Sequence, residues 1–129
     1  VKHRTKNFTA AEVIHRTEDF PEELLPIAYA AMGYLQALRD QLGVAIYITS
    51  GYRSPEYNAE IGGTENSYHK WRFGGVNQVI WAVDFYSPEM EIGYLYEELA
   101  KIVEGEMYWN RAKGFIHLAP HAKKEHWIA

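Results

Sequence analysis

The chain has 129 residues, 47% of them apolar, and a formal net charge of −4. That length and apolar content suit one domain with an ordinary core, and the acidic balance gives no electrostatic case for nucleic acid. Cysteine is absent, which excludes disulfides, thiol catalysis and cysteine-based zinc sites, and no apolar run approaches the ~20 residues of a membrane-spanning helix.

Thr9 and Glu12 have the spacing of a capping box and predict a short helix, broken at "EDFP". Over residues 22–42, Leu24, Ile27, Ala28, Ala31, Leu35, Leu38 and Leu42 recur at helical spacing, and Gly43 ends this longest helix. Residues 44–50, "VAIYITS", read as a strand. Pro55 suits the first turn of a short helix that stops at Gly62-Gly63. Residues 79–85, "VIWAVDF", look like a second buried strand. Ser87-Pro88 opens a further helix with the face Ile92, Leu95, Tyr96, Leu99, Ile102 and Val103, closed by Gly105. "EMYW" and "GFIHL" predict a terminal hairpin over residues 106–118. The order implies an α+β domain, with helices flanking a small, mainly antiparallel sheet. No repeat or low-complexity tract divides the chain, so residues 1–129 are read as a single domain. Basic groups at residues 2–6 and at Lys123–Lys124 read as solvated. No signal peptide is visible, and a start at Val1 rather than Met is compatible with processing or trimming, so a lost targeting segment stays open.

Between the first strand and the second lies a polar stretch, "SGYRSPEYNAEIGGTENSYH", of the length that is more often functional than connective. It ends in His69. Asp84 sits inside an apolar strand and His117 inside the last one. An ionised Asp among Val, Trp and Phe costs several kcal/mol of desolvation unless it is paired or metal-bound. Two imidazoles and one carboxylate are a common zinc ligand set with a fourth position left for water. Strand residues that simply face solvent are the other reading of the same pattern.

The combination "ITSGYRS…N…GG…S-x-H", then "A-x-D", then "GF-x-H" resembles the zinc D-Ala-D-Ala carboxypeptidases, whose metallopeptidase fold also occurs in hedgehog signalling domains, and in particular their small peptidoglycan-cleaving variants of phages and bacteria. The resemblance runs over roughly residues 7–118. It implies that His69, Asp84 and His117 hold zinc. It implies that Arg53 polarises the scissile carbonyl or pairs with a substrate carboxylate, and that Ser67 and Tyr68 shape the substrate site. The implied substrates are peptidoglycan stem peptides, cut by carboxypeptidase or endopeptidase action. The implied setting is the periplasm, the extracellular space or a phage particle. The competing reading is a non-catalytic module that keeps the fold, retaining zinc for stability or binding peptidoglycan or a partner protein, for example as a structural module in a phage particle.

Two departures stand out. Residues 70–83 separate His69 from Asp84, where the family usually has a short "H-x-x-G-x-A-x-D". They read either as a hairpin beside the cleft or as a surface insertion, and Trp71 and Phe73 are expected near the cleft entrance rather than in the core. The Glu or His that many members carry three residues before the last zinc histidine is Gly114 here, and the "H-x-D" acid of others is Ala119. Glu106 on the preceding strand is therefore the first candidate for general base, followed by His121 and Glu125.

Overall fold

A computed structural model describes residues 4–129; Lys2, of the N-terminal basic group, lies outside them. The capping box forms as expected. Thr9 accepts from the Glu12 N–H, and the Glu12 carboxylate accepts from the Thr9 N–H, which opens helix α1 (Ala10–Ile14). A 3-10 turn at Glu22–Leu24 leads into α2 (Leu25–Leu42). Its buried stripe takes Ile27, Ala28, Ala31, Leu35 and Leu38 from the predicted face and adds Met32, while Leu24 and Leu42 at its ends are half-buried, and Gly43 caps it at φ 73° by donating its N–H to the Arg39 carbonyl.

The remaining elements are β1 (Tyr47–Ser50), α3 (Pro55–Glu60), β2 (Arg72–Phe73), β3 (Val79–Ile80), β4 (Val83–Tyr86), α4 (Ile92–Ala100), β5 (Glu106–Asn110), β6 (Phe115–Ala119) and β7 (Glu125–Ile128). Five strands form one sheet in the order β1-β4-β6-β5-β7, while β2 and β3 make a separate hairpin. Every junction of the main sheet is antiparallel except β5–β7. The architecture is thus the expected α+β arrangement. Strand alternation gives the sheet two faces. Val83, Phe85, Ile116, Leu118 and Met107 point into the core, where they join Ile27 and Leu35 of α2 and Leu95 and Leu99 of α4.

Four expectations are adjusted by what each segment finds to pair with. The first strand begins at Tyr47 rather than Val44, because its partner β4 ends opposite, at Tyr86. Residues 79–85 are split: Val79 and Ile80 pair with Phe73 and Arg72, and only from Val83 does the chain join the main sheet. Helix α4 starts later than Ser87-Pro88, since Ser87 Oγ caps a turn at the Glu89 N–H and the Glu91 carboxylate accepts from the N–H groups of Gly93 and Tyr94. The helix also ends before Gly105. Strand β7 is an addition. "EHWI" alternates as a short strand does, but it binds β5 in parallel, a pairing that no hairpin signal announces.

The expectation that Trp71 stands at the cleft entrance is corrected. Trp71 is 3% exposed and belongs to the core. Its ring meets Phe20 and Tyr52 edge to face at 5.9 and 6.0 Å. Its indole N–H donates to the Ala82 carbonyl at 3.1 Å, a group left free where the strand is interrupted. Trp71 therefore anchors the start of this segment in the core, while residues 73–78 lie exposed. Phe73, by contrast, is 51% exposed on β2. Trp71→Ala should lower unfolding free energy by about 3–5 kcal/mol, as removal of large core aromatics does, whereas Phe73→Ser should stay within about 0.5 kcal/mol. Urea denaturation followed by circular dichroism measures both, and deletion of residues 70–78 is expected to unfold the chain.

Candidate metal centre

The face of the sheet opposite the core carries one row of side chains. Cross-strand register sets Ser50 of β1, Asp84 of β4, His117 of β6, Tyr108 of β5 and Trp127 of β7 side by side. Register partners share a face, so the row is a direct product of the pairing. His69 reaches the row from the turn before β2. Ser67 Oγ accepts from the His69 N–H at 3.2 Å, and the His69 carbonyl accepts from the Arg53 N–H at 2.8 Å.

His69 Nδ1 lies 2.7 Å from the Gly51 carbonyl. A carbonyl can only accept, so Nδ1 carries the proton. The Gly51 carbonyl is available in this place because the residue has no side chain: a Cβ there would sit 2.1 Å from the Val13 carbonyl oxygen at the end of α1. His69 Nε2 then faces Asp84 Oδ1 at 3.1 Å. The same oxygen lies 3.0 Å from His117 Nδ1, and His117 Nε2 lies 2.9 Å from Glu106 Oε1. Each histidine is thus placed between two oxygen acceptors. A neutral imidazole offers one N–H and one lone pair. The second nitrogen of each ring is satisfied only by an additional proton or by a cation lying between the rings and Asp84. One donor atom each from His69, Asp84 and His117 fall within 4.8 Å of one another, and all three residues are buried. The set therefore fits a metal ion held by two nitrogens and one oxygen.

Without a metal, the same contacts hold protons on the rings. Burial works to raise the Asp84 pKa, but hydrogen bonds from His117 and His69 outweigh it and hold the group at about 2. Burial works to lower the His117 pKa, but hydrogen bonds to Asp84 and Glu106 outweigh it and raise it above the ordinary 6.5. The Tyr108 phenol, stacked on His117 with ring centroids 4.6 Å apart, is raised by burial and by the nearby charge of Asp84.

The site opens into a cleft of about 550 Å³, whose lining includes Arg53, Ser67, Tyr68, Glu106, Lys113 and Trp127. The structure thus brings the expected site residues to one place. Arg53 makes a single long side-chain contact, to Asn58 Oδ1 at 3.4 Å, and its buried Nε has no partner among the described residues. Its Nη2 makes no hydrogen bond among the described residues, and the side chain lines the cleft.

The profile of the Peptidase M15 family matches residues 6–119. The chain belongs to the peptidase M15 family. No curated protein and no solved structure shows a significant match.

In this M15 chain the two missing acids have local explanations. Gly114 turns β5 into β6 at φ 72°, a conformation a glutamate adopts only with strain. Ala119 lies directly across from Glu106 in the β5–β6 register. Of the other base candidates, His121 packs edge-on against Tyr68 at 4.8 Å, and Glu125 is exposed on β7; neither lines the cleft. Sequence reasoning passed over Tyr108 and Trp127. The signal for Tyr108 was its position two residues from Glu106, on the same face of one strand. Trp127 had only the alternation of "EHWI".

Metal binding should depend on pH with a definite sign. A doubly protonated imidazole cannot bind metal. Because His117 keeps its extra proton above the ordinary 6.5, zinc affinity, measured by calorimetric titration, should rise as pH increases past 6.5 and level off only above it. In chelated protein, the stability that ionised Asp84 contributes is complete above its ordinary 3.8 and should disappear as pH falls toward about 2.

Proposed function

We propose that this chain, read as one domain over residues 1–129, is a zinc peptidase that cleaves D-amino-acid-containing peptides of bacterial peptidoglycan. The observation that carries this reading is the buried His69–Asp84–His117 set at the base of a cleft, within the segment that matches Peptidase M15. His69 Nε2, an Asp84 carboxylate oxygen and His117 Nδ1 would hold the ion. The chemistry that zinc supplies when bound is Lewis acidity toward the scissile carbonyl and the attacking water.

The chain's own residues do the rest. Arg53, on the cleft wall, donates to the carbonyl oxygen as negative charge develops there, or to a substrate carboxylate. Ser67 and Tyr68 form the wall against which the peptide lies. Glu106 is the cleft acid outside the ligand set. Its Oε1 is engaged by His117, and its other oxygen, with no partner among the described residues, is our candidate acceptor for the water's proton. Arg53 and Lys113 both line the cleft, and neither is in an ion pair among the described residues, which suits a peptide bearing carboxylates. The substrate places the protein in the periplasm, the extracellular space or a phage particle.

A second reading has one observation in its favour: the left-handed Gly114 stands where an acid would otherwise supply the base. On that reading the chain binds wall peptides without cutting them.

The test is incubation of purified protein with peptidoglycan and with short peptides ending in D-Ala-D-Ala, with and without chelator, and mass spectrometry of the products. Fragments that appear only in the metal-containing sample are expected. Arg53→Ala should lower turnover about a hundredfold with zinc content unchanged, and His69→Ala and Asp84→Ala should lose the zinc. Intact substrates across several wall chemistries at saturating zinc would replace the peptidase with the binding module.

A further inference from the structure

The geometry points to Glu106 as a positioning residue for the metal site: it holds His117 by Nε2–H so that Nδ1, and not Nε2, is the nitrogen presented to the ion. This inference rests on the metal-binding part of the proposed function and is separate from any role of Glu106 as a base.

Three observations carry it. First, His117 has two distinct nitrogens with distinct partners, Nδ1 toward Asp84 at 3.0 Å and Nε2 toward Glu106 at 2.9 Å. When a metal takes the lone pair of one nitrogen, the other carries the proton, and a carboxylate beside it fixes which is which. Second, the carboxylate is held by the sheet rather than by a loop. Glu106 pairs with Ala119 and Tyr108 pairs with His117, so Glu106 stands diagonally across from the imidazole on the same face. Ala119, the smallest side chain that keeps strand geometry, leaves that diagonal open. Third, the ring has little freedom to turn. It stacks on Tyr108 at 4.6 Å with an interplanar angle of 18°, and Tyr108 stacks on Trp127 at 4.9 Å.

Charge balance gives the arrangement a second consequence. A divalent ion, two neutral imidazoles and Asp84 alone leave a net positive charge in a buried site. The Glu106 carboxylate, one ring away and half-buried, brings the group to neutrality. Its link to the ion runs through the imidazole, which distinguishes it from the three ligand candidates.

The experiment compares wild type, Glu106→Ala and Glu106→Gln for zinc affinity by chelator competition at fixed pH. It adds nitrogen-15 spectra of the histidine rings in the zinc-loaded proteins and an unfolding curve for each. Glu106→Ala should bind zinc 10- to 100-fold more weakly, the usual effect of losing such a partner. Glu106→Gln, whose amide oxygen still accepts from Nε2–H, should restore most of that affinity. In wild type the His117 Nε2–H should be visible and slow to exchange, and in the alanine variant it should be lost. Equal zinc affinity in wild type and Glu106→Ala overturns the proposal, as does a zinc-loaded wild type with His117 protonated on Nδ1. Should Glu106→Ala fail to fold, the ring spectrum of wild type and the affinity of Glu106→Gln decide, and a glutamine variant as weak as 100-fold also overturns it. Unchanged affinities with turnover lost equally in both variants assign Glu106 to proton transfer alone and overturn it too. Tight zinc binding with no peptide cleavage counts against the peptidase reading and leaves the positioning role standing, whereas a wild type without zinc affinity overturns both.

Discussion

A carboxylate buried in the middle of a sheet has to be answered by positive charge, and the placing of Asp84 constrains most of what surrounds it. Desolvation of an isolated carboxylate costs several kcal/mol, a large share of the net stability of a domain of this size. Two imidazoles answer it with an added proton or a shared cation, and each is held from behind by an acceptor that decides which nitrogen is left facing Asp84. For His69 the acceptor is the Gly51 carbonyl, and for His117 it is Glu106. The consequence reaches into the first helix. The Gly51 backbone packs so closely on the Val13 and Ile14 carbonyls that the end of α1 sets the position of the group that orients His69.

The sheet divides labour between its faces. One face, with Val83, Phe85, Ile116, Leu118 and Met107, is apolar, and α2 and α4 cover it. The other carries Asp84, His117, Tyr108 and Trp127 in one row. Because successive residues alternate, every site residue on β4, β5 and β6 has core residues as its chain neighbours. Packing on one side thus fixes coordinates on the other. A site built on strands in this way is held more tightly than one built on loops. The loop-borne His69 is tied down by other means: the Ser67 cap, the backbone bond from Arg53, and Trp71 two residues on, anchored in the core.

What was legible in the sequence follows from the range of the interaction that made it so. Capping at Thr9 and Glu12 and the end of α2 at Gly43 are local and were readable to the residue, and the stripe of α2 was readable except for Met32 and its ends. The metal-site candidate was readable because the cost of burying Asp84 and His117 among aliphatics raises a question that a ligand answers, and because the order of the surrounding fragments resembles a family. Trp71 was misplaced because its reason for burial, a free carbonyl at Ala82 and two aromatic edges from Phe20 and Tyr52, depends on residues distant in the chain. β7 was not seen because a parallel pairing has no turn to mark it. Tyr108 and Trp127 were missed because their importance lies in whom they stand beside across the sheet.

Register also bears on where an acid must sit in the chain to serve a given histidine. Two residues along the same strand from His117 and the diagonal position on the neighbouring strand are both on its face and both within a side chain's reach. Here the first of these is Ala119 and the second is Glu106, and the two are partners. A glutamate is long enough to reach Nε2 from the diagonal, and an alanine opposite gives it room. The carboxylate is therefore 11 residues from His117 along the chain, a separation that no short motif contains but that one hairpin register dictates. A search that looks for an acid at a set spacing before or after the last histidine finds glycine and alanine in this chain. A search that asks which side chains share a sheet face with it finds Glu106 at once.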